Sequence, residues 1–451
     1  MNTRLPIKEV GKVAYPEGMT PVIVVVGGGA SGTLAAVHLL HNARARRLPL
    51  RVVLIDRYAR HGLGQAYSTT DPAHLLNAAA AKMSALQHDP DDFVRWARAP
   101  ECAFLPRQTY GHYLRDVLER AQDGPERTVQ RVTGDVAAVS RRPYRVTLTD
   151  GRGYDADAIV LATGNAAPGL RLPEERCTND PWAVGALNGV ADGDVLVVGT
   201  GLTMVDMAVT LTRAPGRTVY AVSRHGLLPR VHTEGPVTPH PVTLPEGPLT
   251  LRVLFRAVRE AAARDDWRGV VDGLRPRVPE LWSRLPLREQ RRFLALAARY
   301  WEIHRHRIPP VTAAKIESLR SSGRLKLLSG CVDGVTPRAD GVTVHLKDRD
   351  LPVSWVVNAT GPGSVCARDP LLTRLMGDGL VRADRLGLGV DADARGRLVD
   401  ATGRADDRLV TLGPVLRGSR YETTAIPEIR GQAAALAPHV IDEIARWPSV
   451  I

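Results

Sequence analysis

Val22-Ile-Val-Val-Val-Gly27-Gly-Gly29-Ala-Ser31-Gly32-Thr33 decides the fold. The β-branched run Val22–Val26 reads as a buried parallel strand, and a helical spacing (Leu34, Val37, Leu40) opens just after Gly32. Gly27, Gly29 and Gly32 therefore fill a G-x-G-x-x-G pattern in a strand–turn–helix setting. The first glycine makes the tight turn, the second admits a pyrophosphate close to the backbone, and the third lets helix and strand pack closely. Ser31 sits in the opening helical turn, where unpaired amides favour phosphate. A second apolar strand, Arg51–Ile55, closes on Asp56, where a carboxylate accepts from ribose hydroxyls. Strand, turn, helix and acid together specify a dinucleotide site.

The pattern recurs. Val195–Val198 reads as a strand, followed by Gly199-Thr-Gly201-Leu-Thr-Met204 and a helix through Val205, Ala208 and Leu211. Met204 replaces the third glycine, while the two phosphate-approach glycines remain. The next strand, Thr218–Val222, ends in Ser223-Arg224 rather than in an acid. A guanidinium there suits a 2′-phosphate, which favours NADPH over NADH. Each fingerprint is followed later by a strand ending in Ala-Thr-Gly, at Ala162-Thr163-Gly164 and Ala359-Thr-Gly361. The freedom of Gly164 lets the chain turn beside a bound dinucleotide.

Composition narrows the class. The chain has 451 residues, enough for two or three domains, and its 44% hydrophobic and 24% charged residues suit a globular protein. No apolar run approaches the roughly 20 residues of a membrane span, and no signal-peptide core follows Met1, so a cytoplasmic location is expected, with no membrane partner. The net charge of +12 comes from arginines scattered along the whole length, without a dense basic tail, so no nucleic-acid partner is expected. Cys102, Cys177, Cys331 and Cys366 form neither a C-x-x-C pair nor a zinc spacing, and no metal site is expected.

The order along the chain predicts an α/β fold with two Rossmann-like dinucleotide-binding domains, one for FAD and one for NADPH, and a helical insertion. Residues 1–19 read as a tail, 20–190 as the first part of the FAD domain, and 191–362 as the NADPH domain with helices inserted over about 249–320. Residues 363–451 return to the FAD domain. The irregular stretch Gly62–Trp96 is too long for an idle loop and is expected to cover the cofactor, with Asn77 and Ser84 in contact. Val132–Thr149 reads as a hairpin around Arg141–Arg142, with Val136 among the cofactor contacts. Helical spacing runs through Leu249–Gly273 and Leu287–Arg307, and the basic end His304–Arg307 is equally consistent with a helix-dipole role and with ligand contact. Gly413 ends the strand Leu409–Gly413, and the helix start near Thr424 would face the flavin.

Gly62–Tyr67, Leu75–Asn77, Met83–Ser84, Pro106–Tyr110, Gly199–Asp206, Trp301–Arg307 and Glu422–Gln432 resemble a bacterial FAD/NAD(P)-binding family. That family includes flavin-dependent N-hydroxylating monooxygenases that oxidise aspartate to nitrosuccinate. The resemblance implies bound FAD, hydride from NADPH, O2 as co-substrate, and a small amine or amino acid as substrate. The chain departs from better-known relatives in carrying Asn179-Asp-Pro-Trp182 in place of an F-x-G-x-x-x-H segment, and Gly413-Pro414 in place of Gly-Asp. No catalytic acid, base or nucleophile follows from the sequence. The alternatives are an NAD(P)H-dependent flavin oxidoreductase that reduces a quinone or protein acceptor, and a flavin-bound interaction protein without turnover.

Overall fold

In the computed structural model, residues 20–247, 249–364 and 369–446 are described. The expected tail, residues 1–19, and Cys366 lie outside them.

Two parallel sheets are built on the two valine-rich fingerprint strands. In the first, β1 (Val22–Val26) lies between β2 (Leu50–Asp56) and β7 (Ala158–Leu161), with Val26 opposite both Ile55 and Leu161. β3 (Arg127–Thr133) extends it beyond β2, and β17 (Ala405–Thr411) beyond β7, with β16 (Arg397–Val399) antiparallel at the edge. Val24 and Val25 point to opposite faces and are both fully buried, so β1 needs apolar residues throughout. Helix α1 (Ala30–Ala45), α2 (Asp92–Ala97), α3 (Arg107–Arg120) and the C-terminal helix Ile426–Arg446 share one core with one face of this sheet. The other face carries the antiparallel meander β4 (Val136–Arg141), β5 (Tyr144–Leu148) and β6 (Gly153–Asp155), with Leu371, Leu372 and Leu375.

The second sheet runs β11 (Leu325–Ser329), β10 (Val219–Ser223), β9 (Val195–Val198), β15 (Trp355–Asn358) and β8 (Cys177–Thr178), all parallel. Helices α4 (Leu202–Leu211) and α10 (Pro310–Ser321) pack on one face and the meander β12 (Val332–Arg338), β13 (Gly341–Leu346) and β14 (Arg349–Val353) on the other. Between β10 and α10 sit α5 (Leu251–Ala262), α6 (Trp267–Leu274), α7 (Val278–Arg284), α8 (Leu287–Leu296) and α9 (Ala298–Arg305), which form a core of their own around Leu274, Leu281 and Trp282. No helix among the described residues is long and apolar enough to cross a membrane.

Local readings change in three places. The expected hairpin Val132–Thr149 begins only at Val136, because Arg127–Thr133 leaves the meander and pairs in parallel with β2, Leu54 opposite Arg131. The helical run Leu249–Gly273 breaks at Ala263–Asp266, where Asp266 accepts from the amide of Arg268 and starts a new helix. The run Leu287–Arg307 breaks at Ala297. In both runs the helical spacing of apolar residues continues on either side of the break, so period alone hides it.

Candidate functional site

β1 is joined through α1 to β2 on one side and pairs with β7 on the other, so the chain order reverses at β1, and its carboxyl end is where open α/β sheets bind ligands. A cleft of about 370 Å³ lies there. Gly27 turns with φ +108°, and a Cβ on it would lie 2.2 Å from the carbonyl oxygen of Ala162. A Cβ on Gly32 would lie 1.8 Å from the carbonyl oxygen of Gly27, so glycine is needed here for packing rather than for ligand contact. Gly29 is the residue before α1 and lines the cleft with Ala30 and Ser31. The first-turn amides of α1 have no intrahelical acceptor and carry the positive end of the helix dipole.

Asp56 lines the same cleft and is held by backbone amides. Its Oδ1 accepts from Tyr58 at 2.9 Å and Arg60 at 2.8 Å, and its Oδ2 from Gly28 at 3.2 Å. Oδ2 keeps a lone pair for a hydroxyl. Val136, Thr163 and Gly164 line the same cleft. The hydroxyl of Thr163 is buried and has no hydrogen-bond partner in the protein, an orphan that a polar ligand in the cleft would satisfy. Leu63, Tyr67, Thr424, Ile426 and Ile429 also line it, a mainly apolar group. Gly413 does not line the cleft. It closes on Ser31, whose hydroxyl would be 2.5 Å from a Cβ there, and its amide donates to Gln432 Oε1 at 2.8 Å. That contact seats the returning C-terminal segment against the start of α1.

Asn77 and Ser84 are not brought to this cleft. Ser84 is fully buried, and its hydroxyl accepts from the amide of Leu86 and donates to the carbonyl of Asp89 at 2.6 Å, so it shapes a turn. The carbonyl of Asn77 accepts from His232 Nε2 at 3.0 Å. Sequence reasoning missed Arg57, Tyr58 and Gly64, which do line the cleft. Position relative to Asp56 was the available signal for the first two. Gly64 is pressed on Gly29, and a Cβ on it would lie 2.8 Å from Gly29 Cα.

The second fingerprint repeats the geometry. Gly199 turns with φ +116°, with a Cβ position 2.3 Å from the carbonyl oxygen of Ala359, and Gly201 precedes α4 with open space beside it. The turns at Gly164 and Gly361 match too, with φ of +77° and +78°. Met204 is fully buried in the core at the third-glycine position. The Ser223 hydroxyl lies 2.8 Å from that of Thr200 and accepts from the amide of Gly226, while Arg224, the residue after β10, is exposed.

A buried ionic network joins the helical insertion to the first sheet's segments. Arg275 pairs with Glu428 (Nη2–Oε2 2.7 Å), Arg305 with Glu422 at 3.3 Å and Glu428 at 3.4 Å, and Asp272 with Arg307 and Lys82. Arg305 and Arg307 are thus turned into the protein. Burial alone would raise the Glu428 carboxyl, but the bond from Arg275 and the fields of both arginines outweigh it and hold it low. Arg275→Met leaves Glu428 with a weaker partner and should cost about 3 kcal/mol of unfolding free energy, read by urea denaturation. The pair's contribution is complete above the ordinary carboxylate range and is lost as pH falls through the depressed value, so the variant should also show a flatter acid limb.

Residues 24–166 match the family model described as FAD-NAD(P)-binding. This part of the chain is an FAD/NAD(P)-binding domain. No curated protein sequence matches the chain. Among solved structures, ornithine hydroxylase from Pseudomonas aeruginosa is similar at 16% identity and TM-score 0.62, covering 94% of this chain and 100% of that one. The FAD-bound cadaverine monooxygenase from Erwinia amylovora is similar at 13% identity and TM-score 0.63, with 95% of each chain covered. Thioredoxin reductase from Lactococcus lactis is similar at 12% identity and TM-score 0.55, covering 95% and 100%. Outside the FAD/NAD(P)-binding domain these likenesses show the fold, a pair of dinucleotide-binding domains with the first completed by the C-terminal segment. That fold hosts both oxygenases and a disulfide reductase, so the chemistry has to be argued from residues.

Proposed function

We propose that the chain is an FAD-dependent, NADPH-consuming monooxygenase that N-hydroxylates a small amine or amino acid with O2. One observation carries the reading: the chain builds the same Gly-x-Gly turn twice, at the switch points of two sheets, and among the described residues no cysteine lines the FAD/NAD(P)-binding domain's cleft. The first crevice has an acid for a ribose and suits FAD, while the second has Arg224 and suits NADPH. Bound FAD supplies hydride acceptance and, once reduced, oxygen activation. The protein's own part is to hold and to shield. The amides opening α1 would hold the pyrophosphate and Asp56 the ribose, and the unpartnered Thr163 hydroxyl would donate to or accept from the cofactor. The apolar lining residues Leu63, Tyr67, Ile426 and Ile429 would exclude water from the bound cofactor.

Hydroxylation and disulfide reduction part at the thiols. Cys102 is exposed beside the first domain's loops, Cys331 is exposed after β11, and Cys177 is buried in β8 of the second sheet. Replacing all four cysteines by serine should leave anaerobic flavin bleaching by NADPH within a factor of about two. A quadruple variant that binds FAD but no longer passes electrons onward revives a thiol relay. The substrate class is tested by following NADPH oxidation and peroxide release over a panel of amines and amino acids. Consumption coupled to one compound supports hydroxylation; substrate-independent reduction of added quinones or dyes supports the reductase instead.

A further inference from the structure

We propose that Arg107 and Asp206 are positioning residues for hydride transfer, forming with Asp71, His74, Thr210 and Arg213 a latch that fixes the NADPH crevice relative to the FAD cleft. The inference rests on the functional reading for its chemistry, but the latch itself stands on geometry. Asp206 is a carboxylate almost wholly buried in α4, with Arg107 Nη2 at 2.7 Å from its Oδ2. Arg107 opens α3 of the first domain and also donates from Nε to the carbonyl of Leu75 at 3.2 Å. One turn on, the Thr210 hydroxyl donates to Asp71 Oδ2 at 2.6 Å and lies 2.9 Å from His74 Nε2. At the end of the helix, Arg213 pairs with Asp71 at 2.7 Å. Trp182, in the segment between β8 and β9, covers the group: its ring lies 5.2 Å from the Arg107 guanidinium carbon and 5.6 Å from the His74 ring.

Positions 206, 210 and 213 fall on one stripe of a helix by spacing, and all three partners come from the first domain. The opposite side of α4 is apolar core, with Met204, Met207, Ala208 and Leu211 buried. The same helix starts at Gly201, the coenzyme crevice, about 8 Å along the axis from Asp206 at 1.5 Å per residue. A rigid helix therefore carries the coenzyme site at one end and the domain contact along its side. The insertion's ion pairs fasten a different part of the seam, so α4 has its own anchor. Burying a carboxylate is unfavourable without a partner: burial pushes the Asp206 carboxyl up, and the first domain's Arg107 opposes that shift without cancelling it. Hydride transfer is sensitive to distance, and a misplacement of about 1 Å costs on the order of a hundredfold in rate.

The test uses the FAD-loaded enzyme and the double variant Arg107→Met/Asp206→Leu, which removes both charges and so leaves neither buried alone. FAD content and NADPH Kd should stay within about twofold, while the limiting rate of anaerobic flavin reduction falls at least about tenfold. The structural readout is the distance between nitroxides on the exposed Cys102 and Cys331, with Cys177 and Cys366 changed to serine. The parent should give one narrow distribution and the variant a broadened or shifted one. An unchanged distribution, or a reduction rate within twofold of the parent, overturns the latch. If the double variant loses FAD, Thr210→Val/Arg213→Met carries the same expectation of a broadened distribution. NADPH that fails to bleach the parent enzyme sinks the functional reading, while the distance measurement still judges the latch.

Discussion

Gly29→Val should yield a soluble, folded and colourless protein. Gly29 precedes α1 with φ −72° and extended ψ, a conformation open to valine, so the helix start itself is not strained. Space is the difficulty. A Cβ would already lie 3.3 Å from Gly64 Cα, and the two methyl groups beyond it extend into the cleft that Ala30, Ser31 and Thr163 line. Close approach of a pyrophosphate to the backbone is the reason for glycine at this position, and blocking it forfeits the amide contacts of α1. A loss of FAD affinity of at least about a hundredfold, near 3 kcal/mol, is expected. The ratio of flavin to protein absorbance after purification reads it, with circular dichroism and thermal melting as the check on folding. A variant that keeps its full complement of FAD removes the pyrophosphate assignment at Gly29. Gly32→Val is a different experiment, because its Cβ would press on the Gly27 carbonyl and the fold would fail first.

The fingerprints made most of the architecture legible. Valine runs, glycine spacing and a following helix are local signals, and each set its strand, turn and helix without help from the rest of the chain. The two Ala-Thr-Gly turns were legible for the same reason, and their carbonyls pack against Gly27 and Gly199. What escaped was decided by tertiary contact. Ser84 and Asn77 have the polarity of ligand contacts, yet Ser84 spends its hydroxyl on a buried turn and Asn77 faces His232 across the domain seam. Arg127–Thr133 has strand character, but pairing with β2 rather than with its chain neighbours is a matter of register that alternation does not specify. The stripe Asp206, Thr210 and Arg213 was present in the sequence as polar residues on an otherwise apolar helix. Its meaning required the first domain's Arg107 and Asp71, which are about a hundred residues or more away in the chain. Similarly, the sequence of His304–Arg307 is equally consistent with a helix-dipole role and with ligand contact, and only the fold shows Asp272, Glu422 and Glu428 absorbing Arg305 and Arg307.

Arg224→Ala should weaken NADPH far more than NADH. The two coenzymes differ only in the 2′-phosphate, so a residue that contacts this group discriminates between them and nothing else. Arg224 follows β10 directly, one residue beyond Ser223, which stands where the first fingerprint has Asp56, and its side chain is exposed. Serine in place of the acid matters because a carboxylate there would repel a 2′-phosphate, and the arginine beside it reverses that preference. A charge-assisted bond to phosphate is worth roughly 1.5–3 kcal/mol. Solvent screening at an exposed position puts the effect near the lower end, about a tenfold rise in the Kd for NADPH. The neighbouring Ser223 hydroxyl is already engaged with Thr200 and Gly226, so it offers little compensation when the guanidinium is removed. Screening also gives the prediction a second arm. Raising the salt from about 0.05 M to 0.5 M should shrink the parent's preference for NADPH, because the Debye length falls with ionic strength, and should change the variant's preference hardly at all. Titrating both coenzymes against both proteins at the two salt concentrations decides the matter. Equal losses for NADPH and NADH, or a parent preference that ignores salt, would place the 2′-phosphate away from Arg224.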